Sequence, residues 1–348
     1  MKLSKQQLNN IFFVVGVLAC VVMLFTFDVS FVELWDHLCH AGYWLIPIVG
    51  VWVIIYGINA WSWFTIISSK IRGTGEHVNF SRVYRLTITG YALNYATPVG
   101  GLGGEPYRIL ELSRDVSKEH ATSSVILYAM MHFFAHFWFW FSSIFIYIAL
   151  AAVGDLPINT AIGTTLGIII VFCLIAFYVF AKGYRNGLVV KTLRWIGHIP
   201  GLKGWSARFR EKHAESLANI DEQIAALHAE DKRAFYKSLL LEYLSRVVQS
   251  SEVFFMLLLF GIDNGGGFAG LLITYLHSIL IVSFTTLFAN LIGFLPMQLG
   301  VQEGGFVLSI AALGLSAALG IFVSIICRFR EIVWIFLGLV LMRIGKTS

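Results

Sequence analysis

The sequence predicts an all-α polytopic membrane protein of about six full spans plus two opposed re-entrant helical hairpins that form an inverted repeat. Three observations carry this prediction. Of the 348 residues 57% are hydrophobic and 13% charged, with a mean hydropathy of +0.77, whereas soluble domains carry about 25% charged residues. Apolar stretches long enough to cross a bilayer alternate with connections whose basic residues fall on one side. Two turns rich in Pro and Gly interrupt apolar stretches in matching fashion.

Spans read at 11–27, 43–67, 123–152, 160–181, 238–261 and 320–342, each near the roughly 20 residues that a membrane helix requires. The first follows Lys2 and Lys5, and no small-residue cleavage site follows Phe25, Thr26 and Phe27, so it is expected to be an anchor helix rather than a leader. The connections 28–42, 153–159 and 262–267 contain no Lys or Arg but hold Asp28, Glu33, Asp36, Asp155 and Asp263. Of the 25 Lys and Arg, all but Arg246, Arg328 and Arg330 fall in the alternate segments or at the ends. The positive-inside rule therefore predicts a multi-pass protein of the inner membrane with both termini cytoplasmic.

The chain reads as one transmembrane domain over 1–348, with a first hairpin region at 68–122, a basic cytoplasmic loop at 182–237 and a second hairpin region at 268–318. In the basic loop Phe209, Leu217, Ile220, Ile224 and Leu227 recur at helical spacing, which predicts an amphipathic helix on the membrane surface or on the bundle. Anionic inner-leaflet lipids are one partner for this face, and general charge bias explains its basic residues equally well. With a net charge of +5 distributed by topology, nucleic acid is not an expected partner. Cys20, Cys39, Cys173 and Cys327 are too scattered for a disulfide scaffold or a zinc module.

The first turn runs Thr97-Pro98-Val99-Gly100-Gly101-Leu102-Gly103-Gly104-Glu105-Pro106-Tyr107-Arg108. Such a run cannot continue a helix, and irregular backbone at membrane depth requires cover from protein or a water-filled cavity. Arg82 and Arg85 precede the apolar run 86–97, and Arg108, Arg114 and Lys118 follow it, so the chain enters and returns on one face. The second turn, Leu295-Pro296-Met297-Gln298-Leu299-Gly300-Val301-Gln302-Glu303-Gly304-Gly305, repeats the spacing: Pro98 to Glu105 matches Pro296 to Glu303, and Asn94 or Asn290 lies on the preceding helix. Kinks in two ordinary spans are the alternative. Opposed hairpins instead predict a substrate site where the broken helices meet, with Pro98, Gly100, Gly101, Gly103, Gly104, Pro296, Gly300, Gly304 and Gly305 as hinges.

Glu242, Arg246, Glu252, Glu303, Arg328, Arg330 and Glu331 fall in apolar surroundings. At roughly 2.5–3.5 kcal/mol each, and on the order of 20 kcal/mol together, they must face one another, water or a ligand. Glu242 with Arg246 and Arg328 with Glu331 have spacings that permit local pairing. Glu105, Glu252, Glu303, Arg328, Arg330 and Glu331 are expected to converge on one polar cavity, with Arg108, Asn94 and Asn290 beside them. There Arg would attract phosphate, and Glu105 and Glu303 would hold an ammonium, a proton or the partner Arg. His132 and His136 read as part of an aromatic packing face rather than as a metal pair, and the Gly-rich turn lacks the Lys-Ser or Lys-Thr of a P-loop. No metal, cofactor or catalytic set is expected, so the chain reads as a non-enzyme.

The stretch Pro98 to Leu112, with its Gly-Glu-Pro-x-Arg core, and Pro296 to Gly305 followed by Leu313-Gly314-Leu315-Ser316 and Arg328, resembles the transmembrane domain of the lysylphosphatidylglycerol synthase family, also called flippase-like. The resemblance covers about 45–343. It implies movement between leaflets of a phospholipid, aminoacyl-phospholipid, glycolipid or polyprenyl-phosphate lipid. In full-length synthases a soluble domain transfers the amino acid from charged tRNA; the chain through Ser348 is expected to lack it, so synthase activity is not carried over. The rival expectations are a secondary transporter of a small soluble anion and a non-transporting membrane subunit of a lipid-modifying system. A homo-oligomer or a lipid-synthesis enzyme is the expected protein partner.

Overall fold

The computed structural model describes residues 31–96, 103–185, 231–291 and 301–344, with isolated positions between 186 and 230. Helices α1 (Phe31–Ala41) and α2 (Leu45–Lys70) are joined by a 3₁₀ turn at Gly42–Trp44. There follow α3 (Phe80–Ala96), α4 (Glu105–Leu112), α5 (Lys118–Ala152), α6 (Thr160–Arg185), α7 (Lys232–Leu259), α8 (Gly267–Leu291), α9 (Val301–Ala312) and α10 (Ala317–Ile344). No strand occurs among the described residues, so the protein is all-α and polytopic.

Four helical segments, Leu38–Lys70, Lys118–Ala152, Thr160–Lys182 and Gly267–Leu291, are long and apolar enough to cross a membrane. Helices α7 and α10 have 28 residues each, about 42 Å at 1.5 Å per residue, and carry buried charges. Five of the expected spans thus coincide with α2, α5, α6, α7 and α10, and the span at 11–27 lies outside the described residues. Helix α1 occupies part of what reads in sequence as a plain connection.

The outward surface is apolar. On α6, Ile168, Val171, Ile175 and Val179 are each more than half exposed. An apolar band of this size needs a non-aqueous neighbour, and a bilayer supplies it.

Two faces can be assigned from contacts. Near the start of α5, Ser117 caps the helix and Glu76 accepts from the Ser117 N–H at 2.8 Å. Arg82 of α3 meets Glu111 and Asp115 at 3.1 and 3.0 Å, so both ends of the α3/α4 hairpin lie here. Near the other end of α5, Asp155 lies 2.6 Å from His277 of α8, and Leu150 and Leu156 cluster with Leu280 and with Leu313, which follows α9. The α8/α9 hairpin is therefore rooted on the opposite face, as an inverted arrangement requires. Its first arm has 25 uncharged residues and is itself long enough to cross a membrane, so the second hairpin is asymmetric, and the reading of 268–318 as a re-entrant region without a full span is corrected there.

Each hairpin has its own core. Val83, Leu86, Leu93, Tyr107 and Leu112 pack with Trp63, Tyr128 and Leu339, whereas Ile281, Leu287, Phe306 and Ile310 pack with Phe139, Val253 and Phe322. In the basic segment Leu217 is buried, and Phe209, Ile220, Ile224 and Leu227 lie outside the described residues.

Candidate functional site

Glu105 opens α4, directly before Pro106, where a carboxylate is favoured by the helix dipole and proline costs no helical hydrogen bond. Its Oε1 accepts from Arg108 Nη1 at 2.7 Å and from Asn94 Nδ2 at 3.4 Å. Asn94 Oδ1 in turn accepts from the Gly104 N–H at 2.6 Å, tying the end of α3 to the start of α4. Arg108, 1% exposed, also donates to the Thr87 carbonyl at 3.2 Å and stacks 4.8 Å from the Tyr91 ring and 5.3 Å from the Tyr128 ring. This fit depends on close backbone approach. A β-carbon at Gly104 would overlap the Gly90 carbonyl, and one at Gly90 would overlap the Arg108 guanidinium.

In the second hairpin Glu303 sits in the first turn of α9, the place that Glu105 holds in α4. Its Oε1 accepts from Arg328 Nε of α10 at 2.7 Å, and Arg328 Nη1 reaches Glu331 at 2.8 Å. Arg330 holds Glu252 of α7 through two contacts at 2.8 and 3.2 Å and lies 3.7 Å from Glu331. Trp52 of α2 donates to Glu252 at 3.0 Å, and its ring stacks under the Arg330 guanidinium at 3.9 Å. Gln302 adds a bond to Glu331 at 3.2 Å. Three carboxylates thus share two guanidiniums. Both matched glutamates leave an oxygen over: Glu105 Oε2 and Glu303 Oε2 are buried with no hydrogen-bond partner among the described residues.

The six residues expected in one cavity divide into two groups. Among the described residues no ion pair joins Glu105 or Arg108 to the network of Glu252, Glu303, Arg328, Arg330 and Glu331. Aromatic rings bridge the groups: Tyr91 lies 5.4 Å from Tyr56, and Tyr56 lies 5.4 Å from Trp52. Unpaired charge is too costly at this depth to leave open, so the charges are closed on one another and on rings. Asn290 is exposed and donates to the Thr286 carbonyl of its own helix at 2.8 Å, so it does not play the part of Asn94. Of the hinges, Gly104 is helical in conformation and Gly304 and Gly305 lie inside α9. Gly104 packs against the Gly90 carbonyl and Gly305 against Thr285, whereas Gly304 has open space beside it. Gly103 is buried in the turn before α4; Pro98, Gly100, Gly101, Pro296 and Gly300 lie outside the described residues.

A third group is more extensive than its sequence pattern suggests. Glu242 and Arg246 come no closer than 4.0 Å, with His132 of α5 against both. His132 Nδ1 is 2.8 Å from Glu242 and 3.1 Å from the Tyr91 hydroxyl, and Arg246 Nη2 packs within 2.7 Å of the imidazole nitrogens. His136 keeps the packing role, bonded to the His132 carbonyl and 5.6 Å from Trp140. The signal for His132 was a polar ring at the same depth as an otherwise isolated pair. For Trp52 the sequence carries no signal, since any of several aromatic residues on α2 would fit as well.

The family model for the lysylphosphatidylglycerol synthase TM region matches residues 12–339, nearly the whole chain. The chain belongs to that family. Both hairpins and all three buried charge groups lie inside the matched range, so the features described are those of a lysylphosphatidylglycerol synthase transmembrane region, a membrane fold connected with lipid handling. None of the curated proteins matches the chain in sequence.

Proposed function

We propose that the protein moves a lipid between leaflets, without chemical conversion, and that the lipid is a phospholipid, aminoacyl-phospholipid, glycolipid or polyprenyl phosphate. The observation that carries this reading is Arg328. It is buried, and it ties Glu303 on the hairpin arm to Glu331 on α10. A headgroup phosphate is the natural competitor for a guanidinium held by a carboxylate, because both anions present oxygens to the same fork. Displacing Glu303, whose side chain is 30% exposed, exchanges one anion for another and releases the polar tie between α9 and α10. Arg108 and Glu105 provide the corresponding pair on the first hairpin.

Acyl chains stay in the bilayer. An apolar cavity of about 100 Å³ beside the second hairpin, lined by Leu166, Ile169, Leu280, Leu287 and Leu313 among others, has room between α5, α6, α8 and α9 for a few methylenes of one chain. The face carrying Lys70, Arg72, Arg82 and Arg114 is cytoplasmic on this reading, and the membrane is the inner one.

The test is leaflet exchange in liposomes, with a panel of labelled phospholipids, glycolipids and polyprenyl phosphates. Wild type should exchange a subset, and Glu303→Gln and Glu105→Gln should each lower the rate about tenfold or more while the protein stays folded, a loss of at least 1.4 kcal/mol of coupling. Folded wild-type protein that exchanges no lipid would overturn the proposal and favour transport of a small soluble anion or a subunit role.

A further inference from the structure

A pocket of about 310 Å³ opens at the base of the first hairpin, lined by His77, Asn79, Arg82, Arg85, Arg114 and Asp115 together with Val78. This is near the lower end of the roughly 300–1,000 Å³ of small-molecule sites. Unlike the cavity beside α6, its lining is almost wholly polar. Three guanidiniums around one pocket repel one another unless something neutralises them.

Two of the three are accounted for. Arg82 is held by Asp115 at 3.0 Å and by Glu111 at 3.1 Å, and Arg114 by Glu111 at 2.9 Å. The two carboxylates therefore fix these side chains in place as well as offsetting their charge. Arg85, one turn along α3 from Arg82 and half-buried, has no ion-pair partner among the described residues. The pocket thus combines pre-positioned donors with one uncompensated positive charge, which is the arrangement that binds an oxyanion.

We infer that this pocket is a binding site for a phosphate group, with Arg85 as the principal contact and Arg82, Arg114, His77 and Asn79 at its walls. The site lies on the Lys- and Arg-rich face, apart from the Glu303–Arg328 network, and binding here does not depend on lipid translocation. A phosphate-bearing lipid headgroup and a free phosphate present the same chemistry to Arg85, and they differ in whether an acyl anchor adds affinity.

The experiment is calorimetric titration of the full chain in neutral detergent with inorganic phosphate, dihexanoyl phosphatidic acid and dihexanoyl phosphatidylcholine. Saturable binding of the first two is expected, weakened about tenfold in Arg85→Gln, the loss of one charge-assisted contact, and largely kept in Arg85→Lys. Asn79→Asp adds a carboxylate at the rim and removes no cation, so it should weaken binding similarly even if Arg85→Gln fails to fold. Tighter binding of phosphatidic acid than of phosphate assigns the site to a lipid headgroup; equal binding assigns it to a free anion. No saturable binding of either, binding of phosphatidylcholine as strong as that of phosphatidic acid, or affinities unchanged in both Arg85→Gln and Asn79→Asp would overturn the inference.

Discussion

In the first hairpin Glu105 meets a guanidinium three residues along its own helix, whereas in the second Glu303 reaches 25 positions to Arg328 of α10. The glutamates occupy equivalent first turns, but the consequences differ. The first ion pair is a local clasp within the hairpin, with Arg108 also bonded to an α3 carbonyl and stacked on Tyr91, although its guanidinium touches Tyr128 of α5 and Trp63 of α2 as well. The Arg328 pair joins two separate helices, and breaking it changes how α9 sits against α10. The contrast separates a fastening that shapes its hairpin from one that links a hairpin to the rest of the bundle.

The largest effect should come from deleting the shared cation. Arg328→Ala leaves both Glu303 and Glu331 without their main partner and should destabilise by about 3–5 kcal/mol, the usual cost of a broken buried pair. Arg108→Ala orphans one carboxylate that still has Asn94 and should cost about 1.5–3 kcal/mol. Thermal denaturation in detergent orders the two, and an equal or reversed order would erase the distinction between link and clasp. A smaller contrast concerns glycine. Gly104→Ala must push against the Gly90 carbonyl and should cost about 1–3 kcal/mol. Gly304 has open space around its missing β-carbon and lies in a helix, so Gly304→Ala should gain roughly 0.5–1 kcal/mol. Loss of stability in Gly304→Ala, read by the same melts, would show that the second hairpin is as tightly packed there as the first.

The smallest effect is a pH dependence at the first hairpin's root. Burial pushes the Glu76 carboxyl up, but hydrogen bonds from His120 and Ser117 outweigh it and hold the group below its ordinary value. Asp231, capping α7, is held low by the Ala234 N–H, then by the Ser69 hydroxyl and Arg72. Groups lowered by folding contribute stability above their ordinary values and lose it as pH falls through the folded ones. The melting temperature should therefore drop on acidification below about pH 4.5, with Glu76→Gln removing part of that slope. A Glu76→Gln profile parallel to wild type would remove Glu76 from the account.

The helices that face lipid were legible because apolar length is a requirement of the solvent, and the hairpins because Pro and Gly at membrane depth have few other uses. Glu303, Arg328 and Glu331 were legible as charges that had to find partners. Their division into separate groups was not. Which carboxylate Arg330 holds is decided by how α7, α2 and α10 meet, and that register leaves no mark on any one segment. Asn290 shows the converse: like Asn94 it lies on the helix before its turn, but it is six residues before Pro296 where Asn94 is four before Pro98, and an offset of two residues, about 200° around a helix, presents the other side.

The partnership of Glu252 and Arg330 spans 78 positions, and this sets an order on synthesis. When α7 leaves the ribosome Arg330 does not yet exist, and at about 5–20 residues per second it follows some 4–16 s later. Through that interval Glu252 has the Trp52 indole N–H, which is already made, but not its cation, and must be satisfied by water or a provisional partner. Helix α10 emerges with Arg328, Arg330 and Glu331 and meets the carboxylate that makes its own entry favourable. A nascent chain arrested before α10 should therefore leave α7 accessible to the translocation channel and to the proteases that survey it.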